Sequence, residues 1–245
     1  MADGLVYGRH PVLEALRAGR TIHRIWLAPG LPPSVELEEI RQTAAVHGIS
    51  TTVVTRAELD NLTRGGNHQG VAAACAPRPP ATVESLLDIA ASRRQTPLLV
   101  AVDHLEDPQN LGSLLRTAEA AGVHGIILPQ RRSVGITPTV VRVSAGAAEH
   151  LAIAHVVNLA RTLEQLKQRG LWIAGLDADA PMRYDRADLT VPLAVVVGAE
   201  GKGISRLAAS CCDLLVHIPM AGQVASLNAA VAAAIMLFET ARQRA

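Results

Sequence analysis

The chain has 245 residues, 49% of them hydrophobic and 18% charged, with a formal net charge of +1. That composition supports a sizeable core in one large or two modest domains and excludes an intrinsically disordered chain. The near-neutral balance excludes a strong global field for nucleic acid, so any RNA contact has to come from local patches.

From the amino end, residues 7–76 read as a small α/β domain. Val12, Leu13 and Leu16 give residues 10–18 helical spacing, with Pro11 tolerated in the first turn. Residues 22–28 alternate as a strand does. Ser34 is placed to cap a helix reaching residue 47, with acidic residues in its early turns. A β-branched strand over 51–54 and a short helix over 56–62 follow, then the loop RGGNHQG and a last strand over 71–75. The Pro-rich stretch APRPPAT, residues 76–82, is the natural linker. The expected division is a first domain over 1–76, a linker with a lead-in helix over 77–95, and a second domain over 96–245.

The second domain alternates strands and helices. Strands are expected over 98–102, 125–128, 152–156, 171–176, 193–197 and 214–218. Between them fall a helix over 110–121 stopped by Gly122, one over 138–148 in which SAGAA is ambiguous, and one over 159–169 capped by Asn158. Residues 177–190 form a polar excursion, and an Ala-rich apolar helix begins at Ala229. This alternation predicts a mostly parallel sheet covered on both faces.

The chemistry-bearing residues gather where strands end, which is where α/β folds bind ligands. The run 193–197 breaks at Gly198 into the loop GAEGKG. The run 214–218 ends in PMAGQVASLN, which opens directly into the last helix. These loops carry Glu200, Lys202, Ser205, Ser226 and Asn228, a polar set suited to binding and proton handling. A third stretch, DHLEDPQNLGSLLRTAEAAGV, places Asn110 and Arg116 six residues apart. Read alone, Ser226 is an N-cap candidate, Glu200 a solvated loop carboxylate, Arg116 a helix-surface residue paired with Glu119, and Ile218 and Leu227 core.

Together and in this order, the three stretches resemble the motifs of the SpoU-type RNA 2'-O-ribose methyltransferases, members of a knotted superfamily that uses S-adenosylmethionine. The resemblance implies a trefoil-knotted, mostly parallel-sheet catalytic domain and a catalytic set of Asn110, Arg116, Glu200, Ser226 and Asn228. It implies cofactor binding at Gly198, Ile218 and Leu227, where glycine lets backbone approach the ligand. The pieces YGRHPVLEAL and NHQG resemble a ribosomal-protein-like RNA-binding domain found ahead of the catalytic domain in some members. There Arg9, His10, Arg64, Asn67 and His68 are the candidates for touching RNA. The likeness is closest to members that methylate a guanosine ribose of 23S ribosomal RNA, on AAGVHGIILP, GAEGKG, IPMAGQVASLN and FETARQR. It also implies a homodimer through the C-terminal helix, whose stretch 229–238 is apolar on every face.

Other chemistries are excluded by spacing. A Walker loop fails because Gly203, not Ser or Thr, follows Lys202. A dinucleotide fingerprint fails because its third glycine falls at Arg206. No HExxH occurs among the nine histidines and no CxxC among Cys75, Cys211 and Cys212, so no metal is expected. Aromatics at 2% argue against base-stacking platforms. Arginine outnumbers lysine 21 to 2, which reads as base composition before it reads as phosphate binding. The longest apolar run is 10 residues, too short for a bilayer, and no signal peptide is visible, so a cytoplasmic protein is expected. The alternatives are the same chemistry on transfer RNA, or a non-catalytic RNA-binding or ribosome-associated protein.

Overall fold

The structure is a computed structural model, and it describes residues 4–78, 80–201, 203–223 and 226–245. Lys202, named above in the GAEGKG loop, lies outside the described residues. The chain divides into two compact units, one of residues 1–79 with 136–150, the other of 80–135 with 151–245. The first border falls at the Pro-rich stretch expected to be a linker. The grouping of 136–150 with the first unit departs from the expected single span 96–245.

The first unit runs β1 (Leu5–Tyr7), α1 (Arg9–Arg17), β2 (Ile22–Leu27), α2 (Val35–Val46), β3 (Ser50–Val53), α3 (Arg56–Thr63) and β4 (Val71–Cys75). Its sheet has the order β1-β4-β2-β3, with β2–β3 parallel and the other pairs antiparallel. Strand β1 was not foreseen. Three residues with one buried side chain, Val6, carry no periodic signal, and pairing with β4 is what makes them a strand. Ser34 caps α2 as expected, its side chain accepting the Leu37 N–H. The core gathers Val12, Leu13, Ile25, Ile40, Val71 and Ala73.

The second unit supplies α4 (Val83–Ser92), β5 (Leu98–Val102), α5 (Pro108–Ala120) and β6 (Gly125–Pro129). The chain then gives α6 (Pro138–Val143) to the first unit. The helix expected over 138–148 stops short, because Ala145 and Gly146 take φ of 52° and 90° and leave only a 3-10 turn, Ala147–Glu149. The carboxylate of Glu149 is buried and held by Arg20 at 2.9 Å and Arg78 at 3.2 Å, all within the first unit. The second unit resumes with β7 (Ile153–Val156), α7 (Leu159–Gln168), β8 (Trp172–Leu176) and β9 (Met182–Arg183). It ends with β10 (Leu193–Val197), α8 (Arg206–Cys211), β11 (Leu214–His217) and α9 (Ala229–Arg244).

These seven strands form one sheet in the order β7-β6-β5-β10-β8-β11-β9, every pair parallel. Strand β9 lies in the expected polar excursion and was missed because two exposed residues give no strand pattern. Central β10, LAVVV, is buried throughout, and each such Val contributes roughly 1.5–3 kcal/mol of burial. From β5 the chain moves outward through β6 and β7, then crosses to β8 on the other side of β10. The order therefore reverses beside β5 and β10, and the crevice at their carboxyl ends is where such a sheet binds ligands. Among the described residues, no helix is long and apolar enough to cross a membrane.

Candidate active site

Three loops meet at that crevice. After β5 the chain enters α5, capped by Asp107, whose Oδ1 accepts the Gln109 N–H at 2.9 Å, with Pro108 in the first turn. Asn110 is thus in the first helical turn rather than at the cap, and it is buried. After β10 the loop turns back on itself, Ala199 and Gly203 exchanging both backbone hydrogen bonds at 3.1 and 2.9 Å. A Cβ on Gly198 would stand 2.0 Å from the Gly203 carbonyl oxygen. Glycine there is demanded by the loop's own closure, a different reason from the expected approach of a ligand. After β11 the chain reaches α9, and its cap is Asn228, not Ser226. Asn228 Oδ1 accepts the N–H groups of Ala230 and Val231 at 2.9 and 3.3 Å.

That cap fixes the amide's orientation, since its oxygen faces donors and its Nδ2 must donate elsewhere. It donates to Asn110 Oδ1 at 2.7 Å and to Glu200 Oε2 at 3.3 Å. Asn110 Nδ2 donates to the same Glu200 oxygen at 3.1 Å. Asn110, Glu200 and Asn228, separated by up to 118 residues in sequence, form one closed triangle. Glu200 Oε1 takes no protein hydrogen bond among the described residues.

Beside the triangle lies an open cleft of about 690 Å³, solvent side included, lined by Gly198, Glu200, Ile218, Ser226 and Leu227. The three expected cofactor positions therefore share one pocket. Two residues near the triangle were missed, one lining this cleft and one bracing the loop beside it. Asp177 follows the end of β8 and was absorbed into the polar excursion, although the strand-end rule would have flagged it. Asp103, buried at the end of β5, accepts the Ser205 N–H on Oδ2 at 2.6 Å and pairs with His104 Nδ1 through Oδ1, so it braces the loop that carries Glu200.

Arg116 stands apart from the triangle. On an ideal helix it lies about 240° round and about 9 Å along from Asn110. It is exposed, and among the described residues it makes no ion pair or hydrogen bond; the pairing with Glu119 is not formed. In the first unit the candidates for RNA are unequal. Arg9 is tied to Gln69 by its backbone N–H at 3.1 Å, and exposed His10 faces Glu36 at 3.8 Å. Arg64 and Asn67 are exposed. His68 is only 6% exposed; Nδ1 accepts the Gly70 N–H at 2.9 Å and Nε2 meets Asp60 at 3.1 Å. It supports the NHQG loop from inside and has no ring nitrogen left for a ligand. Burial pushes the thiol of Cys75 up to about 11 and that of Cys212 to about 12, which leaves no ready thiolate. Among the described residues, no group of His, Cys, Asp and Glu is placed to hold a metal.

The sequence profile of the SpoU rRNA Methylase family matches residues 97–238, and one described as RNA 2'-O ribose methyltransferase substrate binding matches residues 5–81. The chain belongs to the SpoU methylase family. It is an RNA 2'-O-ribose methyltransferase with a substrate-binding domain, of the kind that draws its methyl group from S-adenosylmethionine. Bacillus subtilis YacO, provisionally assigned as a TrmH family tRNA/rRNA methyltransferase, is 43% identical over 98% of this chain and 95% of its own. The SpoU methyltransferase AviRb of Streptomyces viridochromogenes, solved with AdoMet, has a TM-score of 0.80 at 26% identity, covering 98% of this chain and 90% of that one. An AdoMet-bound rRNA methyltransferase from Sinorhizobium meliloti has a TM-score of 0.79 at 28% identity, covering 98% and 87%.

Proposed function

We propose that this SpoU enzyme methylates the ribose 2'-hydroxyl of a guanosine in large-subunit ribosomal RNA, in the cytoplasm. The observation that carries the reading is the Asn110–Glu200–Asn228 triangle set against the cleft of Gly198, Ile218 and Leu227. The substrate-binding domain favours ribosomal RNA, since transfer RNA ribose methylases of this type usually lack it. The Sinorhizobium relative, alike over nearly the whole chain, is an rRNA enzyme.

The cleft fits the cofactor's chemistry. Val197, Ile218, Met220 and Leu227 offer apolar walls to a flat base, while Asp177 and Ser226 offer polar groups to hydroxyls and charged ends. When bound, S-adenosylmethionine supplies an electrophilic methyl group on a positively charged sulfur. A ribose hydroxyl is a weak nucleophile and must lose its proton during attack. Asn110 and Asn228 hold Glu200 by Oε2, so that Oε1 is the acceptor the site offers to that proton. Arg116 serves as an electrostatic clamp on the substrate phosphate or developing alkoxide, because a guanidinium stays protonated and is a poor base. A knotted trefoil in the second domain is part of the same reading.

The active form in this reading is a homodimer through α9. The helix buries Ala229, Ala230, Ala233, Met236 and Leu237 but leaves Val231 47% and Phe238 52% exposed. Seven residues apart, those two share one face with half-buried Ala234 and Ile235 between them, an apolar stripe suited to a second copy. A monomeric mass by light scattering at micromolar concentration would count against it. The substrate is tested by mapping 2'-O-methyl groups on ribosomal RNA from cells with and without the protein. Loss of one guanosine mark in the large-subunit RNA is expected; loss of a transfer RNA mark instead would reassign the substrate.

A further inference from the structure

A second cleft, of about 830 Å³, opens at the carboxyl ends of β5, β6 and β7, on the far side of β5 from the triangle. It is lined by His104, Arg131, Arg132, Asn158 and Leu207, with Asp103 at its base. Asp103 is its sole carboxylate among the described residues, and both its oxygens are engaged, by His104 and by the Ser205 N–H. The charge left facing the cleft is therefore positive. Arg131 and Arg132 are exposed, and neither makes an ion pair or hydrogen bond among the described residues.

The cleft is held in shape. Ser133 Oγ and the Val134 N–H both donate to the Leu105 carbonyl, at 3.0 and 2.9 Å, tying the arginine loop to the loop after β5. His104 and Arg132 have φ of 58° and 61°, left-handed conformations that non-glycine residues rarely keep without a reason. Asn158 accepts the Arg161 N–H as the cap of α7, so that helix begins at the cleft wall and adds its positive end. Leu207 and Val157 stand 64% and 85% exposed along the same lining, apolar surface against which a base can lie.

We infer that this cleft seats the phosphodiester of a nucleotide flanking the one methylated, with Arg131 and Arg132 gripping the phosphate. Two arginine forks match a phosphate's oxygens. The cleft also adjoins the reacting group along the sheet edge, because Ser205, which lines it, ends the loop that carries Glu200. The inference rests on the reading of this chain as an RNA ribose methylase and names a binding subsite for its substrate.

The test measures binding of a short mixed-sequence single-stranded oligoribonucleotide by fluorescence anisotropy across a KCl series. Arg131→Ala/Arg132→Ala is expected to weaken binding about tenfold and make the log–log salt slope shallower by about 1. S-adenosylmethionine affinity and the thermal melt should stay at wild-type values. Arg93→Ala/Arg94→Ala, at the turn feeding the amino end of β5, removes the same charge from the opposite edge of the sheet and should change neither quantity. Equal RNA binding by wild type and the 131/132 variant, an equal loss in the 93/94 control, or no binding by wild type would overturn the inference. So would inorganic phosphate raising the wild-type melting temperature alone while RNA binding is the same in both, since the cleft would then hold a free anion. Failure of the wild type to bind S-adenosylmethionine would instead sink the methylase reading.

Discussion

The three triangle residues at the carboxyl edge of the parallel sheet hold one another, and the polar residues on the NHQG side of the first unit mostly do not. Asn110, Glu200 and Asn228 close a triangle in which each side chain touches the other two. In the first unit, by contrast, one buried side chain, His68, fixes a loop whose exposed neighbours Arg64 and Asn67 make no side-chain hydrogen bond or ion pair among the described residues. Proton handling at one oxygen requires groups locked in place. Gripping a charged, flexible strand requires reach and charge on a stable backbone, and free side chains provide it. The two regions therefore predict opposite responses to substitution.

The largest effect is expected at the triangle. Glu200→Ala should lower kcat by about 10²–10³, the usual cost of removing one organising polar group from a transition state, with S-adenosylmethionine affinity nearly unchanged. A kcat within tenfold of wild type would break the contrast, since the triangle would then be only structural. Next comes Gly198→Ala. Its Cβ would lie 2.0 Å from the Gly203 carbonyl oxygen, so the loop cannot close as it does. A loss of about 2–4 kcal/mol in stability is expected, with weakened cofactor binding. An unshifted denaturant midpoint would mean the loop has a second arrangement. Arg116→Lys should cost about 10- to 100-fold in kcat/KM, because lysine keeps the charge and loses the planar fork. Full activity in that variant would remove Arg116 from the clamp role.

The sheet was legible because buried parallel strands announce themselves. Both 98–102 and 193–197 were bounded to the residue, each a short unbroken apolar run ended by a polar or glycine break. The elements that escaped, β1 and β9, are two or three residues long and exist through pairing partners distant in sequence. The triangle was nameable only through likeness to a family. Nothing in spacing says that position 110 meets positions 200 and 228, and the contacts across the parallel sheet create that meeting. Local chemistry also misled. Ser226 reads as a cap candidate, yet Asn228 caps α9, and doing so turns its amide nitrogen toward Asn110. Periodicity made α9 apolar on all sides, while the fold buries one side of it and leaves Val231 and Phe238 exposed.

The smallest effects separate the two kinds of residue inside the first unit. His68→Ala leaves the Gly70 N–H without its acceptor and opens a space in a buried loop base, which should cost about 1–3 kcal/mol of stability. Its effect on RNA affinity should follow from that loss and recover on cooling. Asn67→Ala, at an exposed position, should leave the melting curve unmoved and lower RNA affinity by no more than about threefold, the scale of one peripheral hydrogen bond. Melting curves and anisotropy titrations on the full chain read both. If instead His68→Ala kept its stability and lost RNA at every temperature, the ring would be contacting the strand itself. The division between supporting and reaching side chains would then fail where it is most finely drawn.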